Sequence, residues 1–373
     1  MMLKIGITGQ EGFVGKHLYN TLGLFPDQYE RIYFNRNFFN DEFLLDAFVL
    51  QCDVIVHLAA LNRHNDPEMI YSQNVGLVKT LLSSLERTNS NIHVIMSSSS
   101  QEERDNLYGR SKKQGRELFI EWSKRTTSLF TGMVIPNVFG PFGHPFYNSV
   151  VASFCHQLTH NDTPKIDIDG ELKLIYVGEL VEEILSVIKS KTGNHLLPVT
   201  HTKEIKVSAI LRLLETYKDQ YMEKGIIPLL NNRFEINLFN TFRCYMDIKN
   251  HFPVKYIQHP DNRGSFVEVI RLQVGGQVSF STTVANITRG NHFHTRKIER
   301  FSVIKGEALI QLRQIGTDET INCYLNGKDP AYVDMPVWYT HNIKNIGTED
   351  LYTIFWINEF YDSNDPDTFF ETV

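Results

Sequence analysis

The residue pattern changes character part-way along this 373-residue chain, and one hydrophobic core cannot accommodate both textures. In the first part, strand-like apolar runs alternate with helical stretches: LKIGIT before VGKHLYNTL, then RIYF, DVIVHLAA with a helical run from Leu77 to Leu85, HVIMSS and SLFTGMVI. That alternation is the sequence form of a parallel sheet flanked by helices. Beyond a last amphipathic stretch, Val207 to Tyr221, short β-rich runs take over, among them FVEVIRL, RFSVIKG, EALIQLRQI and YTIFWINEF, divided by Gly, Asn and Asp. The texture places a domain boundary near residue 245, giving domains 1–245 and 246–373. The segment 225–250 fits as a connection or as part of either core.

The net charge of -6 is spread over mixed signs with no basic stripe, which argues against nucleic acid or an anionic membrane surface as the main partner. The start, MMLKIGITGQ, is too glycine-broken for a signal peptide, and no run reaches the ~18 apolar residues of a transmembrane helix. A cytoplasmic protein is expected. Cys52, Cys155, Cys244 and Cys323 are scattered and form no C-x-x-C pair, so they read as small buried hydrophobes rather than a disulfide or zinc framework.

The turn Thr8-Gly9-Gln10-Glu11-Gly12-Phe13-Val14-Gly15 closes the first strand and opens the first helix. Gly9 permits the tight turn, Gly12 lets backbone approach a pyrophosphate, and Gly15 brings the helix close to the sheet, with helix N–H groups aimed at the anion. After the second strand, where NAD-binding folds carry an acidic residue for the ribose diol, stand Asn35 and Arg36. A guanidinium there suits a 2′-phosphate, which favours NADPH; a solvated surface charge is the alternative for Arg36. Further on, Tyr108 and Lys112 are four residues apart, on one face of a helix. A phenol can protonate the alkoxide that forms when a ketone is reduced, and a nearby ammonium is expected to lower the phenol's pKa and reach the nicotinamide ribose. The preceding strand ends in Ser97-Ser98-Ser99-Ser100, and Ser99, with Ser98 close behind, is the candidate hydroxyl for the substrate oxygen.

At these residues the chain resembles the extended short-chain dehydrogenase/reductase family, whose members mostly act on nucleotide sugars. The resemblance covers about residues 1 to 245 and includes the strand Asp53 to Ala60, Asn74 and the run Pro136-Asn137-Val138-Phe139-Gly140-Pro141. It implies a Rossmann-type doubly wound α/β sheet. It also implies a cofactor held by Gly9, Gly12, Phe13, Val14, Gly15, Asn35, Arg36, Leu58, Ala59, Ala60, Asn74, Tyr108 and Lys112, with Ser99, Tyr108 and Lys112 catalytic. Asn137, Tyr147 and Asn148 lie where relatives contact the sugar nucleotide. One departure is the short spacing from Ser99 to Tyr108, which suggests a more open sugar pocket.

In the second part, His292-Phe293-His294 directs two imidazoles to one side of a strand. Glu299 follows, then Gly306, and Pro336 to His341 with Asn345 completes a second motif. Residues 255 to 373 resemble the cupin jelly-roll barrels, with departures at Asn286, Pro330 and Trp338, where those motifs carry Gly. The resemblance implies a metal held by His292, His294, Glu299 and His341. Three nitrogens and a carboxylate suit Zn²⁺, and also Fe²⁺, Mn²⁺ or Ni²⁺. Asp261 to Glu268 also looks like the entry strand of metal-free deoxysugar 3,5-epimerases. A non-catalytic dimerisation or sugar-binding barrel is the plainer alternative.

Chemistry orders the two halves. Inverting a sugar carbon by proton removal needs an adjacent carbonyl, so an epimerase at C3 must act before the 4-ketone is reduced. Candidates for its base are Tyr339, Lys297 and Glu268. The fusion as a whole resembles bacterial capsular-polysaccharide and lipopolysaccharide enzymes of L-N-acetylfucosamine synthesis. That likeness implies a UDP-deoxysugar substrate, C3 epimerisation in the barrel, NADPH-dependent C4 reduction in the first domain, and a homodimer. A redox-neutral, NAD-retaining epimerase or dehydratase with a structural barrel, and a non-enzymatic NADPH sensor, are the competing architectures.

Overall fold

The computed structural model describes residues 2–373 and divides into two compact units. One runs up to Val150 and resumes at Ile168–Val207; the other comprises Val151–Asp167 and Ser208–Val373.

In the first unit the order is β1 (Leu3–Thr8), α1 (Phe13–Gly23), β2 (Tyr29–Ile32), α2 (Glu42–Val49), β3 (Val54–His57), α3 (Pro67–Arg87), β4 (His93–Ser99), α4 (Leu107–Arg125) and β5 (Leu129–Ile135). Then come β6 (Asn137–Phe139), α5 (Val150–Thr159), which leads into the other unit, β7 (Glu171–Tyr176), α6 (Val177–Ser190), β8 (Asn194–Pro198) and β9 (Lys203–Lys206). Six strands form a parallel sheet in the order β2-β1-β3-β4-β5-β8, while β6, β7 and β9 make a small separate sheet. Alternation along the strands feeds two cores. Ile5, Ile7, Val54, Val56, Ile95 and Met133 meet Leu18 and Leu22 of α1 and Leu180, Ile184 and Ile188 of α6. Ile55, Val94, Met96 and Phe130 meet Leu45 and Phe48 of α2, Leu81 and Leu85 of α3, and Phe119 and Trp122 of α4. A sheet covered on both faces in this way is doubly wound. The strand order reverses at β1, with β2 on one side and β3 on the other, and that reversal opens the crevice in which such folds hold ligands.

The second unit is built on two five-stranded antiparallel sheets. One has the order Val254–Lys255, Ala331–Met335, Glu299–Lys305, Leu351–Ile357, Gln277–Thr283; the other Thr320–Asn326, Glu307–Gln314, Tyr339–Asn345, Thr288–Phe293, Phe369–Phe370. Val303, Val333, Met335 and Leu351 from the first meet Ala308, Ile310, Leu312 and Ile343 from the second in one core, the sandwich of a cupin-like jelly roll. Gln258–Asp261 and Gly264–Val267 form a hairpin outside both sheets, so the stretch Asp261 to Glu268 enters neither.

The sequence places the boundary at 245, where strands replace helices; the compact units divide at Val207. The reason is a buried polar network. Arg300 and Asp334, 1% and 0% exposed, pair through two bonds of 2.8 and 2.9 Å. Asp334 also accepts from Tyr221 Oη at 2.7 Å, Arg300 Nη1 donates to Gly225 O at 2.9 Å, and Arg243 Nη2 donates to Met335 O at 2.8 Å. The Arg300 guanidinium stacks 3.7 Å from the Tyr332 ring centroid. Buried charges require such partners, and here the helical segment supplies them to the barrel strands. Of the cysteines, Cys52, Cys155 and Cys323 are buried, Cys244 is half-buried, and all are free thiols. Among the described residues no helix is long and apolar enough to cross a membrane.

Candidate functional site

At the crevice of the first unit, Gly9 has φ +80°, and a Cβ there would come within 2.8 Å of the Ala59 nitrogen. Glycine therefore lets the exit of β1 lie against Leu58, Ala59 and Ala60 at the exit of β3, where Leu58 N donates to Thr8 O at 3.0 Å. At Gly15 a Cβ would sit 2.2 Å from Gly9 O. Gly12 is the N-cap of α1 without a side-chain cap bond, so the N–H groups of Phe13 and Val14 open the helix towards the crevice. Asn35 caps the 3-10 turn Arg36–Asn40 by accepting from Asn37 N at 2.9 Å. Arg36 is exposed and makes no ion pair among the described residues. The run Pro136 to Pro141 is tied to α1: the buried His17 ring bonds Pro141 O at 2.9 Å, and burial lowers its pKa to about 4.

Asn74 is buried and bonded to the loop after β3 and to α4. It accepts from Leu61 N at 2.6 Å and donates to Leu61 O at 3.0 Å and to Ser111 Oγ at 3.1 Å. Its amide thus clamps the loop after β3 onto α4.

β4 ends at Ser99, a single 3-10 turn spans Ser100–Glu103, and Asn106 caps α4 by accepting from Gly109 N at 2.7 Å. The short Ser99-to-Tyr108 spacing is therefore one turn and one cap, and it sets Tyr108 and Lys112 on the first turns of α4. Lys112 Nζ donates to Ser97 O at 3.0 Å and lies 5.8 Å from the Tyr108 ring centroid. Burial lowers the Lys112 ammonium to about 8, opposed by Glu102. The expected lowering of Tyr108 by lysine is not what the structure gives: burial dominates and, with Tyr147, raises the phenol to about 12, opposed by a hydrogen bond with Ser99. The two serines separate here. Ser98 donates to the Glu102 carboxylate, which also pairs with Arg116 at 2.6 Å, whereas Ser99 faces Tyr108. Tyr147, its hydroxyl accepting from Asn62 N at 3.4 Å, and Asn137 and Asn148 are exposed.

In the second unit the structure brings His292, His294, Glu299 and His341 together, with one ligand atom from each all within 4.8 Å of one another. His292 and His341 are cross-strand neighbours, next to a bulge between Gly290 and His292. His294 Nε2 and His341 Nε2 lie 3.0 and 3.3 Å from Glu299 Oε2. These three atoms are buried, and none makes a well-aligned hydrogen bond. Close approach without alignment means that the lone pairs converge on a shared point, as ligands of one cation do. Burial alone would raise the Glu299 carboxyl; His294 and His341 outweigh it and hold it well below the usual range. Burial and the neighbouring imidazoles lower His292 to about 4, so it is neutral, as a ligand must be. The donor set fits a divalent metal ion.

The three candidate bases differ in their surroundings. Lys297 is buried with Nζ donating to Pro366 O at 2.6 Å, Glu268 is exposed and paired with Arg271, and Tyr339 lines a cleft with Met246, Ile248, Gln314 and Ile321. Two departures from the cupin pattern now have a backbone reason. Asn286 has φ +65° and Trp338 φ +62°, the left-handed region that glycine occupies without cost. For Trp338 the strain is roughly 1–2 kcal/mol. It is offset by its N–H on His294 O at 2.8 Å and by stacking on Phe293 at 5.6 Å. Asn345 holds the adjoining turns, donating to Thr283 O and Glu349 O, both at 2.8 Å.

Residues 5–197 match the NAD dependent epimerase/dehydratase family, and residues 259–369 match the polysaccharide biosynthesis C-terminal domain. The chain belongs to the NAD dependent epimerase/dehydratase family. Within it, a Pseudomonas aeruginosa protein described as UDP-2-acetamido-2,6-beta-L-arabino-hexul-4-ose reductase is 30% identical over 374 residues, covering 98% of each chain. The crystal structure of the capsular polysaccharide assembling protein CapF from Staphylococcus aureus is 34% identical, with TM-score 0.64 over 100% of both chains. A UDP-glucose 4-epimerase from Thermotoga maritima, 18% identical and with TM-score 0.55, covers 65% of this chain and shares the fold alone.

Three residues that sequence reasoning did not single out as functional bear on these sites. Glu102 occupies Ser98, Trp338 supports the strand turn beside His294, and Asp367 bonds the loop between His294 and Glu299. None has a local spacing signal; only Trp338, a bulky residue where the motif carries Gly, gave any hint.

Proposed function

We propose that this family member is a two-site nucleotide-sugar enzyme. The barrel epimerises UDP-2-acetamido-2,6-dideoxy-L-arabino-4-hexulose at C3, and the first unit then reduces C4 to give UDP-2-acetamido-2,6-dideoxy-L-talose. The observation that carries this reading is the pairing, in one chain, of the Ser99, Tyr108 and Lys112 group with a buried donor set whose lone pairs converge. The whole-length relative described as a 4-hexulose reductase supports the substrate class.

Bound NADPH would supply the hydride for C4, and a divalent ion, zinc by preference, would supply Lewis-acid polarisation of the 4-keto group. The chain's own residues do the rest. Tyr108, held neutral by burial, gives its proton to the C4 alkoxide; Ser99 orients that oxygen; Lys112 carries the positive charge beside the reacting carbonyl. Arg36, exposed and without an ion pair among the described residues, meets the 2′-phosphate, and the turn Gly9 to Gly15 meets the pyrophosphate. In the barrel His292, His294, Glu299 and His341 would hold the ion. A homodimer belongs to this proposal, and the edge strand Gln277–Thr283, with Val278 and Phe280 59% and 72% exposed, supports it.

Incubation with the UDP-4-keto sugar and NADPH tests the reading: NADPH oxidation with an L-talo product is expected. Product retaining the L-arabino configuration at C3 would remove the epimerase half, and cofactor left unoxidised would remove the reductase half.

A further inference from the structure

The segment 365–373 returns to the histidine–carboxylate centre. Phe369–Phe370 is the edge strand beside Thr288–Phe293, with Phe370 opposite His292 and Phe369 opposite Phe293. Immediately before it, Asp367 is 3% exposed and has φ +40°, a backbone that few side-chain-bearing residues adopt and that Asp and Asn tolerate best. Its carboxylate is saturated. Oδ1 accepts from Thr295 N at 3.0 Å and Thr295 Oγ1 at 2.6 Å, and Oδ2 accepts from Arg296 N and Lys297 N, each at 3.0 Å. Its carbonyl oxygen accepts from His294 Nδ1.

These contacts all fall on the stretch that joins two of the four donors, His294 and Glu299. In a neutral imidazole, donation from Nδ1 to a carbonyl leaves Nε2 unprotonated, the form that binds a cation, and this Nε2 is the atom 3.0 Å from Glu299 Oε2. The backbone N–H groups of residues 295 to 297 would otherwise be free to turn the loop and carry Glu299 away. Lys297 Nζ on Pro366 O and Arg296 on Asp365 at 2.9 Å hold the returning segment in place.

We propose that Asp367 is the positioning residue of this centre, fixing the tautomer of His294 through its carbonyl and the span between His294 and Glu299 through its carboxylate. The proposal rests on the metal reading given under Proposed function. Asp367 touches neither metal nor substrate; it acts through the ligands, and its influence should be read in the ligand field and in affinity.

The test uses the full chain and its Asp367→Ala and Asp367→Asn variants, loaded with Zn²⁺ for competition against a chromophoric chelator and with Co²⁺ for visible absorption. Asp367→Ala is expected to weaken Zn²⁺ about 10–100-fold and to alter the Co²⁺ d–d bands, with Asp367→Asn intermediate. NADPH binding by the first unit should not change. If Asp367→Ala does not fold, Asp367→Asn and Thr295→Val, which removes one of the four donors, carry the same test. A wild-type chain that holds one metal ion, with variants of equal affinity and identical Co²⁺ bands, overturns the proposal and leaves Asp367 a clamp on the C-terminal segment. A wild-type chain that takes up neither ion overturns the metal reading and the proposal together.

Discussion

The two centres handle buried polarity in opposite ways. In the first unit the buried polar groups around the Tyr108–Lys112 pair are committed within the protein: Lys112 to Ser97 O, Ser98 to Glu102, Asn74 to Leu61 and Ser111. In the second, His294 Nε2, His341 Nε2 and Glu299 Oε2 are buried without an aligned partner. A self-satisfied site is stable when empty and shapes its ligand by fixed dipoles, whereas converging unsatisfied donors are the arrangement that a bound ion would stabilise. Their chemistry should therefore be separable by mutation.

The largest effect expected on that separation is from His341→Ala, which should remove stoichiometric metal, read by elemental analysis, and abolish deuterium exchange at C3. Reduction of a sugar already inverted at C3 should persist. Next, Tyr108→Phe should lower NADPH oxidation by about 10²–10⁴-fold while leaving C3 exchange intact. Parallel loss of both activities in either variant would merge the two centres into one. The serines sharpen the picture within the first unit. Ser99→Ala should cost about 10²-fold in kcat, as loss of an oxyanion donor does, and Ser98→Ala clearly less, because Ser98 is engaged by Glu102.

Smaller changes probe the cofactor side. Arg36→Ala should raise the KM for NADPH about tenfold, the value of one charge-assisted hydrogen bond, with little change for NADH. Finally, Lys112 is lowered to about 8 by burial, so its ammonium is present below that pH and lost as pH rises through it. Reductase kcat should fall above about pH 8, and Lys112→Met should flatten that limb while lowering the plateau. C3 exchange should show no such limb of Lys112 origin.

How much was legible in the sequence follows from how far apart the cooperating residues lie. The turn Gly9 to Gly15 and the pair Tyr108 and Lys112 are encoded by local spacing on a helix start, and their placement could be read directly. His292, His294, Glu299 and His341 could be read too, because strand alternation and one cross-strand pairing bring them together. What escaped depends on contacts distant in sequence or on burial. Asp367 reaches His294 from the returning C-terminal segment, and Tyr221 donates to Asp334 while Arg243 donates to Tyr221 and to Met335 O, which ties the helices after Val207 to the barrel. The direction of the Tyr108 shift escaped for the second reason: proximity of a cation was evident from spacing, but desolvation, the largest cause of the shift, was not.

The account's central claim is that one chain carries two separable activities in a fixed order. The measurement that tests it most directly is incubation of the UDP-4-keto-6-deoxy-L-hexosamine in D₂O, with and without NADPH, following deuterium at C3 by NMR and cofactor loss at 340 nm as the reading wavelength. Deuterium uptake without NADPH, followed by reduction of the labelled sugar once NADPH is added, is the predicted result. Reduction that proceeds with no deuterium at C3 would contradict it and leave the barrel a structural or binding module.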